Sequence, residues 1–138
     1  MATVLYTPEI LGLATSLAKF SWDEGLPLKG EGRSRSCGST IALALSLDAG
    51  SRVAQIALKS HACAIGQAAA AIFACAAKGR SLEEIDRSAT QIESWLVGEG
   101  ETPDWPGISV LEAALDYPAR HGAILLAWQA ARQLLPSG

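Results

Sequence analysis

The chain has 138 residues, 49% of them hydrophobic and 18% charged, which fits one folded domain spanning residues 1–138 and excludes intrinsic disorder. A net charge of −3 with scattered basic residues excludes a nucleic-acid-binding surface, which needs a basic stripe. The three cysteines are an odd number, so a closed disulfide framework is not expected. With no signal-peptide pattern and no stretch long and apolar enough for a membrane span, we expect a cytoplasmic protein.

The first predicted element is a helix that begins at Thr7-Pro8-Glu9, where a capping side chain, a proline and an acidic residue stand in the order that a helix N-terminus favours. An apolar stripe at helical spacing follows it, made by Ile10, Leu13, Ala14, Leu17 and Ala18. The glycine- and proline-rich residues 21–36 predict a loop with a short edge strand around Leu26–Lys29.

A β-hairpin is predicted next. Apolar side chains alternate with small ones from Thr40 to Leu47, residues 48–51 have turn chemistry, and Val53–Leu58 forms the returning strand. Because a hairpin folds back on itself, Cys37 before it and Cys63 after it are expected to meet at one end, although 26 positions separate them.

Helical patterns fill the second half of the chain. The predicted helices are Cys63–Ala77, a helix with a Ser81–Glu84 capping box that stops at Gly98, a short helix around Val110–Leu115, and a last helix over roughly Arg120–Leu134. Strands in the first half and helices in the second indicate an α+β fold, a small antiparallel sheet of about three strands with helices packed on one face.

The cysteines differ in their predicted surroundings. Cys63 stands at a helix N-terminus, whose partial positive charge stabilises a thiolate, the form that binds soft metals and attacks sulfur. Cys37 is its expected neighbour. Cys75 lies twelve positions after Cys63, about 18 Å along a helix axis, so both cannot bind one metal ion. We therefore interpret Cys75 as a core residue that is alkylated more slowly than Cys37 and Cys63.

His61 and His121 are the only imidazoles. Zinc accepts both cysteine and histidine ligands, so either histidine is a candidate to complete a site with the two cysteines, and a surface or hydrogen-bonded role stays open for each. The chain has no nucleophile elbow, no phosphate-binding loop and no C-x-x-C motif, so we do not expect an enzyme.

Several of these motifs together resemble the IscU/NifU/SufU-type iron–sulfur cluster assembly scaffolds. They are Ser36-Cys37-Gly38-Ser39 before the hairpin, Ala62-Cys63-Ala64-Ile65 opening an alanine-rich helix, Lys78-Gly79-Arg80-Ser81, and Leu126-Ala127-Trp128. The similarity extends from Pro8 to about Ala131 and is greatest to the SufU-like branch, so it implies an IscU/SufE-like α+β fold.

The resemblance also implies a ligand set. Family members carry three cysteines and an acidic residue two positions after the first. Cys37 and Cys63 match the first two cysteines, Ser39 stands where the aspartate is expected, and Ala123 stands where the third cysteine is expected; a one-residue slip would put Gly122 there. His121, two residues before Ala123, is the preferred third ligand in this interpretation.

The resemblance implies a scaffold or carrier that binds iron, an iron–sulfur cluster or zinc through Cys37 and Cys63. Its expected partners are a cysteine desulfurase and apo iron–sulfur proteins, and neither a nucleic acid nor a membrane is expected. A homodimer that shares one cluster is a further expectation. The alternative is a metal-free sulfur acceptor, or persulfide carrier, or a regulatory partner of the desulfurase. A third reading is a structural adaptor with inert thiols.

Overall fold

The computed structural model describes residues 7–34 and 38–135. The elements follow in chain order: α1 (Pro8–Ser16), a 3-10 turn (Leu17–Phe20), β1 (Leu28–Arg33), β2 (Thr40–Leu47), β3 (Val53–His61), α2 (Ala64–Ala77), α3 (Leu82–Leu96), two 3-10 segments (Ile108–Asp116 and Pro118–Arg120) and α4 (His121–Arg132). None of the described helices is long and apolar enough to cross a membrane.

Within the described residues, the three strands form one antiparallel sheet in the order β1-β2-β3. Leu43 and Leu45 of β2 are fully buried on the face that the helices cover, beside Leu58 and Ile56 of β3. The opposite face is partly covered as well, because Leu26 and Trp22 pack over Ala44 and Ala57. The predicted α+β fold is confirmed.

α4 lies directly on β1. It can approach so closely because Gly30 and Gly32 stand at the two buried positions of that strand. A Cβ atom on Gly32 would lie 2.5 Å from the carbonyl oxygen of Leu126, and one on Gly30 would overlap the carbonyl oxygen of Ala130. The backbone of the helix therefore occupies the space that strand side chains would otherwise fill.

An aromatic cluster fixes α4 against α2. Phe73 of α2 stacks on Trp105 with a ring-centroid distance of 5.6 Å, and Trp128 of α4 meets both rings edge-on at 5.2 and 5.3 Å. The indole N–H of Trp105 donates to the carbonyl of Ile72 at 2.9 Å, and the Arg80 guanidinium lies 4.4 Å over the Trp105 ring. Paired aromatic rings of this kind add stability beyond their buried area and fix the geometry of the contact.

The start of α3 confirms the predicted capping box. The Glu84 backbone N–H donates to the Ser81 hydroxyl at 3.2 Å, and the Ser81 N–H donates to the Glu84 carboxylate at 3.3 Å. The Arg52 guanidinium also donates to that carboxylate, at 2.8 Å. The Ser81 backbone hydrogen bond and then the Arg52 side chain hold the pKa of Glu84 below its ordinary value.

Some predicted boundaries are wrong. The edge strand is Leu28–Arg33 rather than Leu26–Lys29, because Gly30 and Gly32 have no side chains that could show alternation in the sequence. The returning strand extends to His61. The segment predicted as a short helix around Val110–Leu115 is the 3-10 segment Ile108–Asp116, and the last helix is His121–Arg132, which follows a 3-10 turn.

Candidate functional site

Three segments meet at one end of the sheet. Arg33 of β1 pairs with Thr40 of β2, and Thr40 pairs with His61 of β3. The loop from β1 to β2 and the connection from β3 to α2 consequently leave the sheet at the same end. The hairpin thus brings the two segments that flank it to the same end of the sheet.

The loop from β1 to β2 carries the first cysteine. Cys37 itself lies outside the described residues, and so its contact with Cys63 remains a prediction. The described flanks of the loop are joined by two backbone hydrogen bonds, from Ser34 N–H to the Ser39 carbonyl at 2.8 Å and from Gly38 N–H to the Ser34 carbonyl at 3.1 Å. Ser39, at the position where the resemblance expects an aspartate, is 3% exposed.

Cys63 is the N-cap residue of α2. Its backbone is extended (φ −64°, ψ 169°), and its side chain makes no capping hydrogen bond to the helix. The thiol is free and half-buried. The helix begins one residue later than predicted, so Cys63 stands at the end of α2 where the first backbone N–H groups have no partner within the helix.

Ala123 of α4 packs against the first turn of α2. Gly66, three residues after Cys63, allows this contact, because a Cβ atom there would lie 3.3 Å from the Ala123 Cβ and 2.8 Å from the Ala62 Cβ. Ala123 is 1% exposed. Position 123 therefore lies beside the helix turn that Cys63 caps, but its methyl group offers no atom that could bind a metal.

His121 begins α4, as predicted, and its ring is held by one hydrogen bond. Nε2 lies 3.1 Å from the carbonyl oxygen of Leu115, and a carbonyl can only accept, so Nε2 carries the proton. The half-buried ring also lines a cavity of ≈ 500 Å³ together with the end of α3 and the preceding 3-10 segments, including Trp95, Val97 and Pro118. In the neutral form of the ring this hydrogen bond leaves the lone pair on Nδ1.

His61 lies at the end of β3 and is exposed on the outer face of the sheet, whereas Cys63 contacts the edge of the main core. Among the histidine, cysteine, aspartate and glutamate residues of ranges 7–34 and 38–135, no three form a group that could hold a metal ion. The structure consequently does not bring His61, Cys63 and His121 together as one ligand set.

The interpretation of Cys75 as a core residue is wrong. Its side chain is exposed and its thiol is free. α2 is almost entirely apolar, and it is covered by α1, by α4 and by β3, so ten of its residues are buried while Cys75 falls on the uncovered side. When a helix is apolar on all sides, its sequence does not indicate which residue other elements leave exposed.

A groove on the outer face of the sheet was not predicted from the sequence. It has a volume of ≈ 500 Å³, it lies at the same end of the sheet as Cys63, and its lining includes Arg33, Thr40, Ala42, Lys59 and His61. The sequence does contain one indication of this groove. Basic or acidic residues occupy every second position at 29, 31 and 33 and again at 59 and 61, and this alternation places their side chains on one face of two strands.

The model of the family described as "NifU-like N terminal domain" matches residues 8–123. A NifU-like protein (N-terminal) of Brucella abortus, described as nitrogen-fixing, has a crystal structure with a TM-score of 0.85 and 25% identity, covering 94% of this chain and 91% of that chain. A protein of Fervidobacterium islandicum AW-1, described as an iron–sulfur cluster assembly scaffold for the SUF system, has a crystal structure with a TM-score of 0.84 at 24% identity, covering 94% of this chain and 96% of that chain.

A hypothetical protein shares the fold as well, with a TM-score of 0.71 at 21% identity and coverage of 91% and 95%. No curated protein matches the chain. The family match spans most of the sequence, and the sheet, the helix that Cys63 caps and the last helix follow in the order that the resemblance implied. The chain belongs to the NifU-like N-terminal domain family, whose members are iron–sulfur cluster assembly scaffolds and not enzymes.

Proposed function

We propose that this protein is a carrier in iron–sulfur cluster assembly that holds iron, an iron–sulfur cluster or zinc as cargo through Cys37 and Cys63. The observation that carries the proposal is the position of Cys63. It is a free thiol at the positive end of α2, at the end of the sheet where the loop containing Cys37 begins. A cysteine thiolate is a strong ligand for soft metals.

Cargo binding in this proposal is weak and exchangeable, because the usual donor set is incomplete. A structural zinc site and a cluster each take four protein ligands. Ala123 offers none, and Ser39 replaces a carboxylate with a buried hydroxyl. His121 is the third ligand of the proposal. Metal-bound histidines commonly donate their other ring N–H to a carbonyl, and the hydrogen bond from Nε2 to Leu115 leaves Nδ1 for the metal.

The proposed partners are a cysteine desulfurase, which supplies sulfur, and apo iron–sulfur proteins, which receive the cargo, in the cytoplasm. A second copy of the chain is the further source of ligands, so that two copies would share one cluster. Sharing predicts that the fraction of dimer rises when iron and sulfide are added and falls when they are removed, as measured by light scattering.

A metal-free persulfide carrier is the second candidate, and the unengaged thiol of Cys63 favours it. In this reaction the Cys63 thiolate attacks the outer sulfur of the persulfide on the desulfurase. The new S–S bond forms on Cys63, the old one breaks, and the desulfurase cysteine leaves as a thiolate, so no external oxidant or reductant is needed.

The first experiment is the metal and labile-sulfide content of protein purified without oxygen, in the native chain and in Cys63→Ser. Cys75→Ser is the matched control, because it removes a free thiol from the same helix outside the site. We expect iron with sulfide, or zinc, in the native chain and in the control, and its loss in Cys63→Ser. Equal metal content in all three would contradict the carrier proposal.

One further measurement distinguishes the metal carrier from the metal-free persulfide carrier. Incubation with a cysteine desulfurase and cysteine, followed by mass spectrometry, detects an added sulfur atom of about 32 Da on Cys63. Persulfide on Cys63 in protein that binds no metal supports the sulfur acceptor. For the third ligand the variant is His121→Ala, which lowers metal content if Nδ1 binds the metal and leaves it unchanged if the histidine is structural.

A further inference from the structure

The outer groove runs along the central strand. β2 contributes small side chains to its floor, Thr40 and Ala42, while the neighbouring strands contribute long ones to its walls. A second cavity of ≈ 470 Å³ shares Ala42 and Lys59 with the first and continues toward Trp22. The two cavities together form one groove, here called the outer groove, which begins at the cysteine end of the sheet and ends at Trp22.

The walls of the outer groove carry three basic side chains, those of Arg33, Lys59 and His61. Arg33 and His61 flank Thr40 in one row across the sheet, and Lys59 stands one row further along on the same face as His61. None of these three side chains makes an ion pair or a side-chain hydrogen bond to another described residue. This concentration of basic groups contrasts with the net charge of −3 for the whole chain.

Two acidic side chains also line the outer groove, Glu31 and Glu24. Glu31 lies across Ala42 from Lys59, two strand spacings away, and no ion pair joins these two side chains among the described residues. Lys29, further along the same wall, is already paired with Glu24 at 3.1 Å. The basic end of the groove is therefore the end at Arg33, Lys59 and His61, next to the candidate site.

We propose that the outer groove docks an extended acidic segment of a protein partner, with carboxylates between Arg33 and Lys59 and an apolar side chain against Trp22. The shape favours an extended chain, because the floor of the groove is one strand wide. Charge complementarity favours carboxylates, and alternate residues of an extended segment point the same way. Docking here would place the partner at the end of the sheet from which β3 continues to Cys63, and it requires neither metal nor sulfur on the thiol of that residue.

The experiment measures the fluorescence anisotropy of a fluorescein-labelled peptide of alternating Glu and Gly residues with one terminal Phe, titrated with the full chain. We expect saturable binding that weakens with added salt. Lys59→Glu weakens it by about tenfold or more, since one charge reversal beside a carboxylate removes an attraction and adds a repulsion. Lys78→Glu makes the same charge change at an exposed residue outside the groove and leaves the Kd unchanged.

A charge-swapped pair sharpens the test. A peptide with Lys in place of Glu binds Lys59→Glu more tightly than it binds the native chain if the groove is the site. Equal weakening by Lys59→Glu and Lys78→Glu would overturn the proposal, because it would show general attraction to the surface. A second pair of results would also overturn the proposal. If inorganic phosphate at matched ionic strength displaces the peptide, and if removal of the Phe leaves the Kd unchanged, the groove is a site for small anions.

The metal content of Lys59→Glu keeps this inference separate from the proposed carrier function. We expect the same metal content as in the native chain, because Lys59 lies outside the candidate ligand set. Loss of peptide binding with full metal content supports docking in the outer groove. A chain that carries no metal and still binds the acidic peptide refutes the carrier and leaves the groove proposal standing.

Discussion

Substitution of Gly66 by alanine tests the contact that positions α4 beside Cys63. At an open position within a helix, this change stabilises a protein by about 1 kcal/mol, because alanine loses less backbone entropy on folding. The chain provides such a position in Gly12 of α1, where a new Cβ atom meets nothing within 4 Å. Gly12→Ala is therefore the matched control for Gly66→Ala.

At Gly66 the added methyl group approaches two other methyl groups, whose positions are fixed because each is bonded directly to the backbone. It would lie 2.8 Å from the Ala62 Cβ, which must shift, and 3.3 Å from the Ala123 Cβ, so α4 must also give way by a few tenths of an ångström. Overpacking of this kind costs about 1–3 kcal/mol. After the gain in helix propensity, Gly66→Ala should lower the free energy of unfolding by about 0–2 kcal/mol, whereas Gly12→Ala raises it by about 1 kcal/mol.

Urea unfolding followed by tryptophan fluorescence measures the difference. With a slope of about 2 kcal/mol/M, the midpoints of the two variants should differ by about 0.5–1.5 M, with Gly12→Ala the higher. Equal midpoints, or a Gly66→Ala variant that gains as much stability as the control, would show that α4 does not press on α2 at this point. The placement of position 123 beside the cysteine would then be refuted.

Three other predictions follow from the site and from α3. Restoring the usual ligand types with Ser39→Asp and Ala123→Cys together should raise retained iron or zinc after gel filtration, and unchanged retention would contradict the position assigned to residue 123. Cys75 is exposed, so iodoacetamide should label it completely in the native fold, as peptide mass spectrometry would show; protection would contradict that exposure. The pKa of Glu84 is lowered by Ser81 and Arg52, so its contribution to stability is present above the ordinary pKa of a glutamate and is lost as pH falls through the lowered value. The difference in urea midpoint between the native chain and Glu84→Gln should therefore be present at neutral pH and decrease as the pH falls below the ordinary pKa of a glutamate.

Local sequence patterns predicted the elements whose stabilising contacts are local. The alternation from Thr40 to Leu47 indicated β2 with its correct bounds, and the capping box at Ser81 indicated the start of α3. The change from strand to helix at Cys63 is equally local, since it depends on the residues immediately before and after it. The fold class and the position of the thiol could therefore be predicted from the sequence.

The features that the sequence did not reveal depend on contacts between distant segments. β1 extends through Gly30 and Gly32 because α4, about a hundred positions later, packs on it. Cys75 is exposed because no described element covers that side of α2, although its neighbours in the sequence are apolar. The ring of His121 is oriented by the carbonyl of Leu115. Leu115 lies in a 3-10 segment, whereas the spacing of apolar residues predicted a short α-helix there.

The glycines of β1 also determine which register the strand can adopt. A shift by one residue would turn Lys29, Glu31 and Arg33 toward the carbonyl groups of α4, where even a single methyl group has no room. α4 can therefore close over the sheet only when β1 is paired as observed. The same pairing places Glu31 and Arg33 on the outer face, so a mispaired strand would lose the closed core and the outer groove together.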